Sequence, residues 1–259
     1  MALDSRQLAS REQFDRQSRN YGSSHILADT SDVLTALAAD PNGGGRPALD
    51  VATGGGHTAA LLAEKGWTVT ASDLSPAMLE RASELASGRD LRIVTALHEA
   101  EHLPYPDGSF DLVTCRVAAH HFSDPAAFVA ETFRILRPGA RLVLIDGSVP
   151  DGEQEVAEWL HNVEKLRDPS HGRFLAPAEW TSLCAKAGFT VESCALTPFK
   201  QPDLEWYFET AATSPENRTA VRELVASAPP AARRAFDLCE EEGKTVWWWP
   251  RLTLVARRP

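Results

Sequence analysis

The 259-residue sequence predicts an α/β fold in which helices cover both faces of a mostly parallel sheet. Two observations support this prediction. Between residues 47 and 147, short β-rich runs alternate with helical segments, which is the order of βαβ units on a parallel sheet. Near the start of this region, an apolar run ending at Val51 leads into Gly54, Gly55 and Gly56 and then into a helical segment. Such a strand, glycine turn and helix are typical of nucleotide sites at the carboxyl edge of a sheet.

The composition and charge indicate one folded protein and disfavour two classes of partner. Hydrophobic residues make up 43% of the chain and charged residues 24%, close to the averages of globular proteins. This length allows a single domain, residues 1–259, made of an α/β core with an added cap. The 36 acidic and 26 basic side chains give a formal charge of -10, which repels nucleic-acid phosphates and anionic lipids. We therefore expect neither nucleic acid nor a membrane as a partner.

The cysteine pattern favours a reducing compartment. Cys115, Cys184, Cys194 and Cys239 are scattered along the chain without a CxxC spacing. The start of the chain shows no signal-peptide pattern, and no apolar run approaches the roughly 20 residues that cross a bilayer. We therefore expect a cytoplasmic protein, either a monomer or a homodimer.

Local signals place the elements of the core at residues 47–147. The pairs Ser75-Pro76 and Asp124-Pro125 each combine an N-cap with a proline at the first helical position, and Pro138-Gly139 marks the end of the second helix. The predicted strands of the whole chain cover residues 48–53, 68–73, 91–95, 110–116, 141–146, 190–197 and 245–256.

The segments outside the core are predicted to be mostly helical. Residues 1–40 form a leader that we expect to cover the carboxyl edge of the sheet, and residues 150–242 form a helical cap. The predicted helices of these two segments cover residues 6–21, 25–39, 153–167, 177–187, 204–211, 216–226 and 230–242.

An acid at the end of the second predicted strand strengthens the nucleotide interpretation. Asp73 follows Gly54 by 19 residues, and a carboxylate at this spacing can accept hydrogen bonds from both hydroxyls of a ribose. The alternatives are a flexible turn at the glycines and a solvated aspartate at the strand end.

Four motifs follow one another in the core: DVATGGG (50–56), ASDLSPAML (71–79), LPYPDGSFD (103–111) and LRPGARL (136–142). Together they resemble the motifs of class I S-adenosylmethionine-dependent methyltransferases of the type 11 group. This group is similar to the methyltransferases of ubiquinone and menaquinone biosynthesis. The resemblance implies a Rossmann-like sheet of seven strands in the order 3-2-1-4-5-7-6, with the last strand antiparallel. It also implies S-adenosylmethionine as methyl donor, S-adenosylhomocysteine as product, and a small-molecule acceptor on the side of the cap.

The same resemblance implies a set of cofactor-binding residues. Gly54 and Gly56 are expected to meet the methionyl group, and Asp73 the ribose. The glycine-rich pattern of the family falls on Asp50, Ala52, Gly54 and Gly56, so that Ala52 stands where the family usually has glycine. The remaining expected contacts are Glu99 and Ala100 with the adenine, Leu74 beside Asp73, Arg116 at the end of the fourth strand, and Tyr21, which closes over the cofactor from the leader.

His120 and His121 follow the fourth strand, where the methyl group and its acceptor are expected to meet. Methyl transfer is an in-line displacement, so the protein mainly has to align the nucleophile about 3 Å from the methyl carbon and exclude water. If the acceptor is a hydroxyl, either histidine can serve as the general base, since histidine titrates near neutral pH. The alternative is that one histidine caps the strand end and the other is exposed. No metal is expected, because adjacent histidines cannot readily face one ion and no Cys/His cluster with zinc spacing lies nearby.

Two groups of cap residues are candidates for contact with an acceptor. Trp206, Tyr207 and Phe208 can line an apolar pocket, and Arg167, His171 and Arg173 can bind an acidic group, whereas the run 247–249 of three tryptophans is expected in the core.

Two other functions stay open from the sequence. One is a protein that binds S-adenosylmethionine in regulation or assembly without transferring the methyl group. The other is an NAD-dependent oxidoreductase, which is disfavoured because the loop reads GGGHTA and lacks the GxGxxG spacing. The nature of the acceptor atom is also left open.

Overall fold

The structure is a computed structural model that describes residues 3–22 and 28–259, with the side chains of residues 19–22 excepted. Its strands are β1 (Pro47–Val51), β2 (Thr68–Asp73), β3 (Ile93–Leu97), β4 (Phe110–Arg116), β5 (Leu136–Gly147), β6 (Thr190–Gln201), β7 (Cys239–Glu241) and β8 (Lys244–Arg257). Its helices are α1 (Ser5–Gly22), α2 (Ser31–Ala36), α3 (His57–Glu64), α4 (Pro76–Gly88), α5 (Pro125–Ile135), α6 (Gln154–Arg167), α7 (Pro177–Ala187), α8 (Leu204–Ala211), α9 (Pro215–Ala226) and α10 (Pro230–Ala235).

The strands form one sheet in the order β3-β2-β1-β4-β5-β8-β6. The pairs from β3 to β5 are parallel, and β8 runs antiparallel between β5 and β6. The predicted α/β class is therefore confirmed, and β8 takes the place of the predicted seventh strand. No helix within the described residues is both long enough and apolar enough to cross a bilayer.

One further strand, β7, pairs antiparallel with β8 and raises the number of strands in the described residues to eight, instead of the seven expected. The predicted helix 230–242 is correct only to Ala235. Glu241 pairs with Lys244, so the hairpin turn consists of Glu242 and Gly243, whose φ angles are 50° and 75°. Two positive φ angles suit the right-handed twist of a two-residue hairpin, which explains why the chain turns back here.

Two strands are longer than the sequence predicts, and one leader helix is shorter. β5 begins at Leu136 and pairs there with Phe110, and β6 continues to Gln201 because β8 pairs with it along its whole length. Part of the predicted helix 25–39 lies outside the described residues, and α2 occupies the middle of the remainder.

The two predicted helix starts of the core are present with their caps. The Ser75 hydroxyl accepts a hydrogen bond from the Met78 N–H at 3.1 Å, and Pro76 begins α4. The Asp124 carboxylate accepts from the N–H groups of Ala126 and Ala127, each at 3.0 Å, at the start of α5. These bonds satisfy amide groups that have no partner within the helix.

Alternate residues of the central strands pack on opposite faces of the sheet. Leu142 and Leu144 of β5 join one core with Trp180 of α7, whereas Val143 and Ile145 join a second core on the other face. A third core fills the cap, where Val156, Tyr207, Phe208, Val221 and Trp247 pack together. The predicted core position is therefore correct for Trp247.

We expect Gly56→Ala to lower the free energy of unfolding by about 2–5 kcal/mol, since the left-handed backbone costs about 1–2 kcal/mol and the overpacking about 1–3 kcal/mol. Gly56 has a φ of 85°, and a Cβ there would lie 2.7 Å from the Cα and Cβ of Ala82. Equilibrium urea unfolding measures the loss.

Gly54→Ala is the matched control for this substitution. Its φ is 53°, but no atom lies within 4 Å of the position of its Cβ. The expected loss is therefore the backbone cost alone, about 1–2 kcal/mol. Equal losses in the two variants would contradict a close contact between Gly56 and α4.

Candidate functional site

A large cavity opens at the carboxyl edge of the sheet, where the turns after β1, β2, β3 and β4 meet. It encloses about 1640 Å³ of empty space, part of which is open to solvent. β1 lies between β2 and β4, so the edge is the switch point at which α/β sheets bind ligands. We call the part formed by the turns after β1, β2 and β3 the β2 side. The β8 side is formed by Arg167, Phe174, Phe199, Gln201, Trp206, Thr210, Trp249 and Arg251.

Asp73 ends β2 and lines the cavity on the β2 side. Its Oδ2 accepts a hydrogen bond from the Gly54 N–H at 2.9 Å, and its Oδ1 accepts one from the Ser75 N–H at 2.9 Å. Burial raises the pKa of Asp73 to about 6, although the two backbone donors act against this rise. The two bonds fix the carboxylate at the mouth of the glycine turn.

Asp50 and Gly56 do not line the cavity, unlike the other described residues that were predicted to bind a cofactor. The Asp50 carboxylate lies beneath the turn and accepts hydrogen bonds from the hydroxyls of Thr53 and Thr114, each at 2.6 Å. Burial raises the pKa of Asp50 to about 6, while these hydroxyls act to lower it. Asp50 and Gly56 thus shape the glycine turn but do not form part of the cavity wall.

Two residues that line the cavity have a left-handed backbone although neither is glycine. Ala52 directly follows β1 with a φ of 52°, and Val117 directly follows β4 with a φ of 54°. A β-branched residue in this region is an outlier, and such strain concentrates at functional sites. The value at Ala52 lies in the region that glycine adopts without strain.

The leader helix α1 covers the β2 side. Gln7, Ser10 and Phe14 lie on one face of α1 at helical spacing and line the cavity. The Gln7 Nε2 donates to the Glu99 carboxylate at 2.6 Å, and Ala100 lines the cavity beside Glu99. The predicted contacts Glu99 and Ala100 therefore lie in the wall, and so does Leu74. The side chain of Tyr21 lies outside the described part of the chain.

Arg116 also lines the cavity, and its guanidinium is held by the leader. Its Nε lies 3.0 Å from each carboxylate oxygen of Asp32, and Arg251 Nη1 lies 3.1 Å from Asp32 Oδ2. Burial lowers the pKa of Arg251, and Asp32 acts against this effect. One carboxylate of α2 thus joins the end of β4 to the middle of β8.

His120 lies in a 3-10 turn, Ala119–His121, and its ring faces the cavity. Its Nδ1 lies 2.7 Å from Asp146 Oδ1, and its backbone N–H donates to Asp146 Oδ2 at 2.8 Å. Burial acts to lower the pKa of His120, but the charge and hydrogen bond of Asp146 outweigh it, and the pKa lies above its usual value. The Gly147 N–H also donates to Asp146, at 2.8 Å, which fixes the carboxylate.

His121 lines the same cavity in a different environment. Its Nδ1 lies 3.2 Å from both the Ser170 carbonyl oxygen and the Ser170 hydroxyl. Burial and the neighbouring His120 lower the pKa of His121 to about 4. Both histidines are buried, so the alternative in which one of them is exposed is wrong.

The cap residues that the sequence singled out divide between the cavity and its surroundings. Trp206 and Arg167 line the cavity, whereas Tyr207 and Phe208 are in the core of the cap. His171 is buried behind the wall, 5.4 Å from the His120 ring between centroids, and Arg173 is exposed and pairs with Glu179 at 2.6 Å. Trp249, which was expected only in the core, also lines the cavity.

The wall residues that the sequence interpretation missed include Gln7, Phe199, Gln201 and Arg251. Phe199 and Gln201 were missed because β6 was predicted to end at residue 197. The alternation of Trp247, Trp249 and Arg251 on one face of β8 is the signal that points to this wall. In residues 3–22 and 28–259, no group of three His, Cys, Asp or Glu side chains is arranged to hold a metal ion.

Comparison with known proteins gives a family and several relatives. Residues 49–144 match the model of a methyltransferase domain. The chain is 32% identical over 171 residues to YcgJ of Bacillus subtilis (strain 168), described as an uncharacterized methyltransferase, and this match covers 66% of this chain and 67% of YcgJ. A demethylmenaquinone methyltransferase of Deinococcus radiodurans is 43% identical over 117 residues, which cover 44% of this chain and 47% of that enzyme. The match to this enzyme thus spans about half of its length.

A solved structure of a methyltransferase candidate from Bacillus halodurans C-125 has the same fold. It superposes with a TM-score of 0.81 at 31% identity and covers 88% of this chain and 99% of that one. The four motifs, the sheet order and these matches agree with one another, and the chain therefore belongs to the class I methyltransferases of the type 11 group.

Proposed function

We propose that the protein transfers a methyl group from S-adenosylmethionine to a hydroxyl of a small-molecule acceptor, with His120 as the general base. One observation supports this proposal most directly. A single cavity contains a glycine turn with a buried carboxylate on the β2 side, and a buried histidine with its own carboxylate next to the β8 side. The first pair suits a nucleoside, and the second suits proton transfer from a hydroxyl.

The residues of the β2 side fit S-adenosylmethionine. The Gly54 and Ser75 N–H groups each donate to a different oxygen of Asp73, and an ionised carboxylate offers further lone pairs that can accept hydrogen bonds from the ribose hydroxyls. The position of a Cβ on Gly54 is open space, so the turn leaves room for a ligand beside the backbone. Glu99 and Ala100 would hold the adenine, with Leu74 next to Asp73. When bound, S-adenosylmethionine supplies the electrophilic methyl group of a sulfonium.

Arg116 and the turn after β4 would hold the methionyl end. Arg116 is positioned by Asp32, and its neighbour Val117 donates its backbone N–H to the Ile145 carbonyl at 2.7 Å. These bonds fix the wall between the two sides of the cavity. A fixed wall lowers the entropic cost of aligning two reactants.

His120 is suited to take a proton from an acceptor hydroxyl through Nε2, since Nδ1 faces Asp146. Asp146 orients the ring and stabilises the imidazolium that forms when the proton is taken. His121, whose pKa is lowered to about 4, stays neutral at pH 7 and does not repel that charge. Phe174, with its ring centroid 4.9 Å from that of His120, shields the pair from water.

Isothermal calorimetry is expected to show binding of S-adenosylmethionine and S-adenosylhomocysteine but not of NAD. Asp73→Ala is expected to weaken the binding of S-adenosylhomocysteine by about 1.5–3 kcal/mol, the range for hydrogen bonds to a charged group. Glu80→Ala, on the exposed face of α4, is the control and is expected to bind normally. Tight NAD binding would reject the methyltransferase reaction, and unchanged affinity in Asp73→Ala would reject the ribose contact.

The affinity for S-adenosylhomocysteine is expected to fall as the pH is lowered through about 6. The ionised Asp73 carboxylate accepts hydrogen bonds better than the protonated form, and the pKa of Asp73 is raised to about 6. The amino and carboxyl groups of the ligand do not titrate in this range, so the change reports on the protein. Calorimetry between about pH 5 and pH 8 measures it. Asp73→Asn is expected to lose this dependence, and a dependence that persists in the variant would assign it to another group.

His120→Gln is expected to lower the rate of methyl transfer by about 10²–10⁴-fold, the usual contribution of a general base. Incubation of a metabolite extract with radiolabelled S-adenosylmethionine identifies the acceptor and provides the assay. The affinity for S-adenosylhomocysteine is expected to be unchanged. A rate close to that of the wild type would show that no base is needed at this position.

Asp146→Asn is expected to lower the pKa of His120, because it removes the charge that raises it. A base is inactive when protonated, so a lower pKa moves the acid limb of the pH–rate profile to lower pH. Nuclear magnetic resonance of the histidine rings measures the pKa directly. His98, near Glu99 on the β2 side, is the internal control and is expected to keep its pKa. An unchanged pKa of His120 would contradict the pairing with Asp146.

A further inference from the structure

The ends of β6 and β8 form a two-stranded extension that provides one wall of the cavity. In this extension Thr197 pairs with Arg251, Phe199 with Trp249, and Gln201 with Trp247. Directly paired residues of antiparallel strands share a face. Phe199, Gln201, Trp249 and Arg251 line the cavity from this face, whereas Trp248 lies on the other face.

Two polar atoms of this wall are buried without a hydrogen-bond partner in the described part of the chain: Gln201 Oε1 and Trp249 Nε1. Gln201 has an exposed fraction of 0%, and its Nε2 makes only a long bond of 3.4 Å to the Phe199 carbonyl. A buried polar atom without a partner costs about 1–3 kcal/mol and is uncommon in folded proteins. Both atoms belong to residues that face one cavity, so a ligand there can supply the missing partners.

The charged groups of the same wall are paired within the protein. Arg251 pairs with Asp32, and its guanidinium lies 3.5 Å from the centroid of the Phe199 ring. Arg167 pairs with the buried Glu164 at 3.3 Å, and Tyr207 donates its hydroxyl to the same carboxylate at 2.6 Å. The wall therefore offers aromatic surface and balanced charge, which suits a flat, neutral molecule better than an ion.

We propose that Gln201 and Trp249 form the polar end of the acceptor subsite and recognise a second hydroxyl of a flat aromatic acceptor. A hydroxyl can accept the Trp249 Nε1–H and donate to Gln201 Oε1 at the same time. If a hydrogen atom replaces this hydroxyl, neither hydrogen bond forms. If a methyl ether replaces it, the ether oxygen can accept from Trp249 but cannot donate to Gln201. This inference rests on the proposed function, since the first hydroxyl is the one that His120 deprotonates.

The contacts of Phe174 limit the size of this acceptor. The ring of Phe174 lies 4.9 Å from that of His120 and 6.0 Å from that of Trp249, measured between centroids. The rings of His120 and Trp249 are therefore at most about 11 Å apart between centroids. A molecule of one or two fused rings, with a hydroxyl at each end, fits within this limit.

The test compares three probes: 2,7-dihydroxynaphthalene, 2-naphthol and 7-methoxy-2-naphthol. Their binding to the protein of residues 1–259 is measured by calorimetry, with and without S-adenosylhomocysteine. The wild type is expected to bind the diol about 5- to 100-fold more tightly than either of the others, because only the diol places one hydroxyl at His120 and another at Gln201 and Trp249.

Three variants identify the residues responsible. Gln201→Leu and Trp249→Phe are expected to reduce the preference for the diol to about twofold or less, since each removes one of the two partners. Trp248→Phe is the matched control on the other face of β8 and is expected to retain the preference.

Thermal unfolding separates recognition from a structural role. If Gln201 serves a ligand, Gln201→Leu replaces an unsatisfied amide by an apolar group and leaves the melting temperature unchanged or higher. A lower melting temperature would show that the amide supports the fold and would overturn the inference.

The remaining outcomes distinguish the two proposals. Failure to bind S-adenosylhomocysteine would overturn the proposed function, while the preference for the diol can still be measured on the protein alone. Binding of S-adenosylhomocysteine together with equal affinity for the probes, or with no affinity for any of them, would overturn the role of Gln201 and Trp249. A preference that survives in Gln201→Leu would do the same.

Discussion

The position of β1 between two parallel neighbours is the constraint on which the site depends. Parallel strands end at the same edge, so the turn after β1, Asp73 at the end of β2 and the turn after β4 come together although they are far apart in sequence. The bond from the Gly54 N–H to Asp73 then joins the first two of these segments. The turn after β4 adds His120, and Asp146 at the end of β5 orients it.

Several ionisable groups are buried in and around the cavity, and their burial lowers the stability of the folded protein. Burial raises the pKa of Asp50, Asp73 and Glu164, which means that their charged forms are less favourable than in water. Each is stabilised only by a small number of donors from the backbone, hydroxyls or a guanidinium. Clusters of this kind are more common at functional sites than in cores built for packing alone. The strained backbone at Ala52 and Val117 fits the same interpretation.

Much of the fold and the β2 side of the cavity could be predicted from the sequence, because the signals are local. The glycine turn, the caps at Ser75 and Asp124 and the alternation of strands and helices lie within short segments. The sequence did not reveal the pairing of Arg116 with Asp32, which are 84 residues apart. The extension of β6 to Gln201 was missed for the same reason, since its cause is pairing with β8 rather than a local preference. β7 was also missed, because residues 230–242 were predicted as one helix that ends at Glu242, where the structure has a hairpin turn.

The leader helix α1 is hydrogen-bonded to both sides of the cavity. Asp15 accepts a hydrogen bond from the Ser75 hydroxyl at 2.5 Å, next to the carboxylate of Asp73, and Gln13 donates to the Ala211 carbonyl at 2.9 Å on the cap. Phe14 packs edge-on against His121, with 4.9 Å between ring centroids. A displacement of α1 would therefore change the surroundings of Asp73 and of His121 at the same time. The two sides of the cavity are thus coupled through one helix.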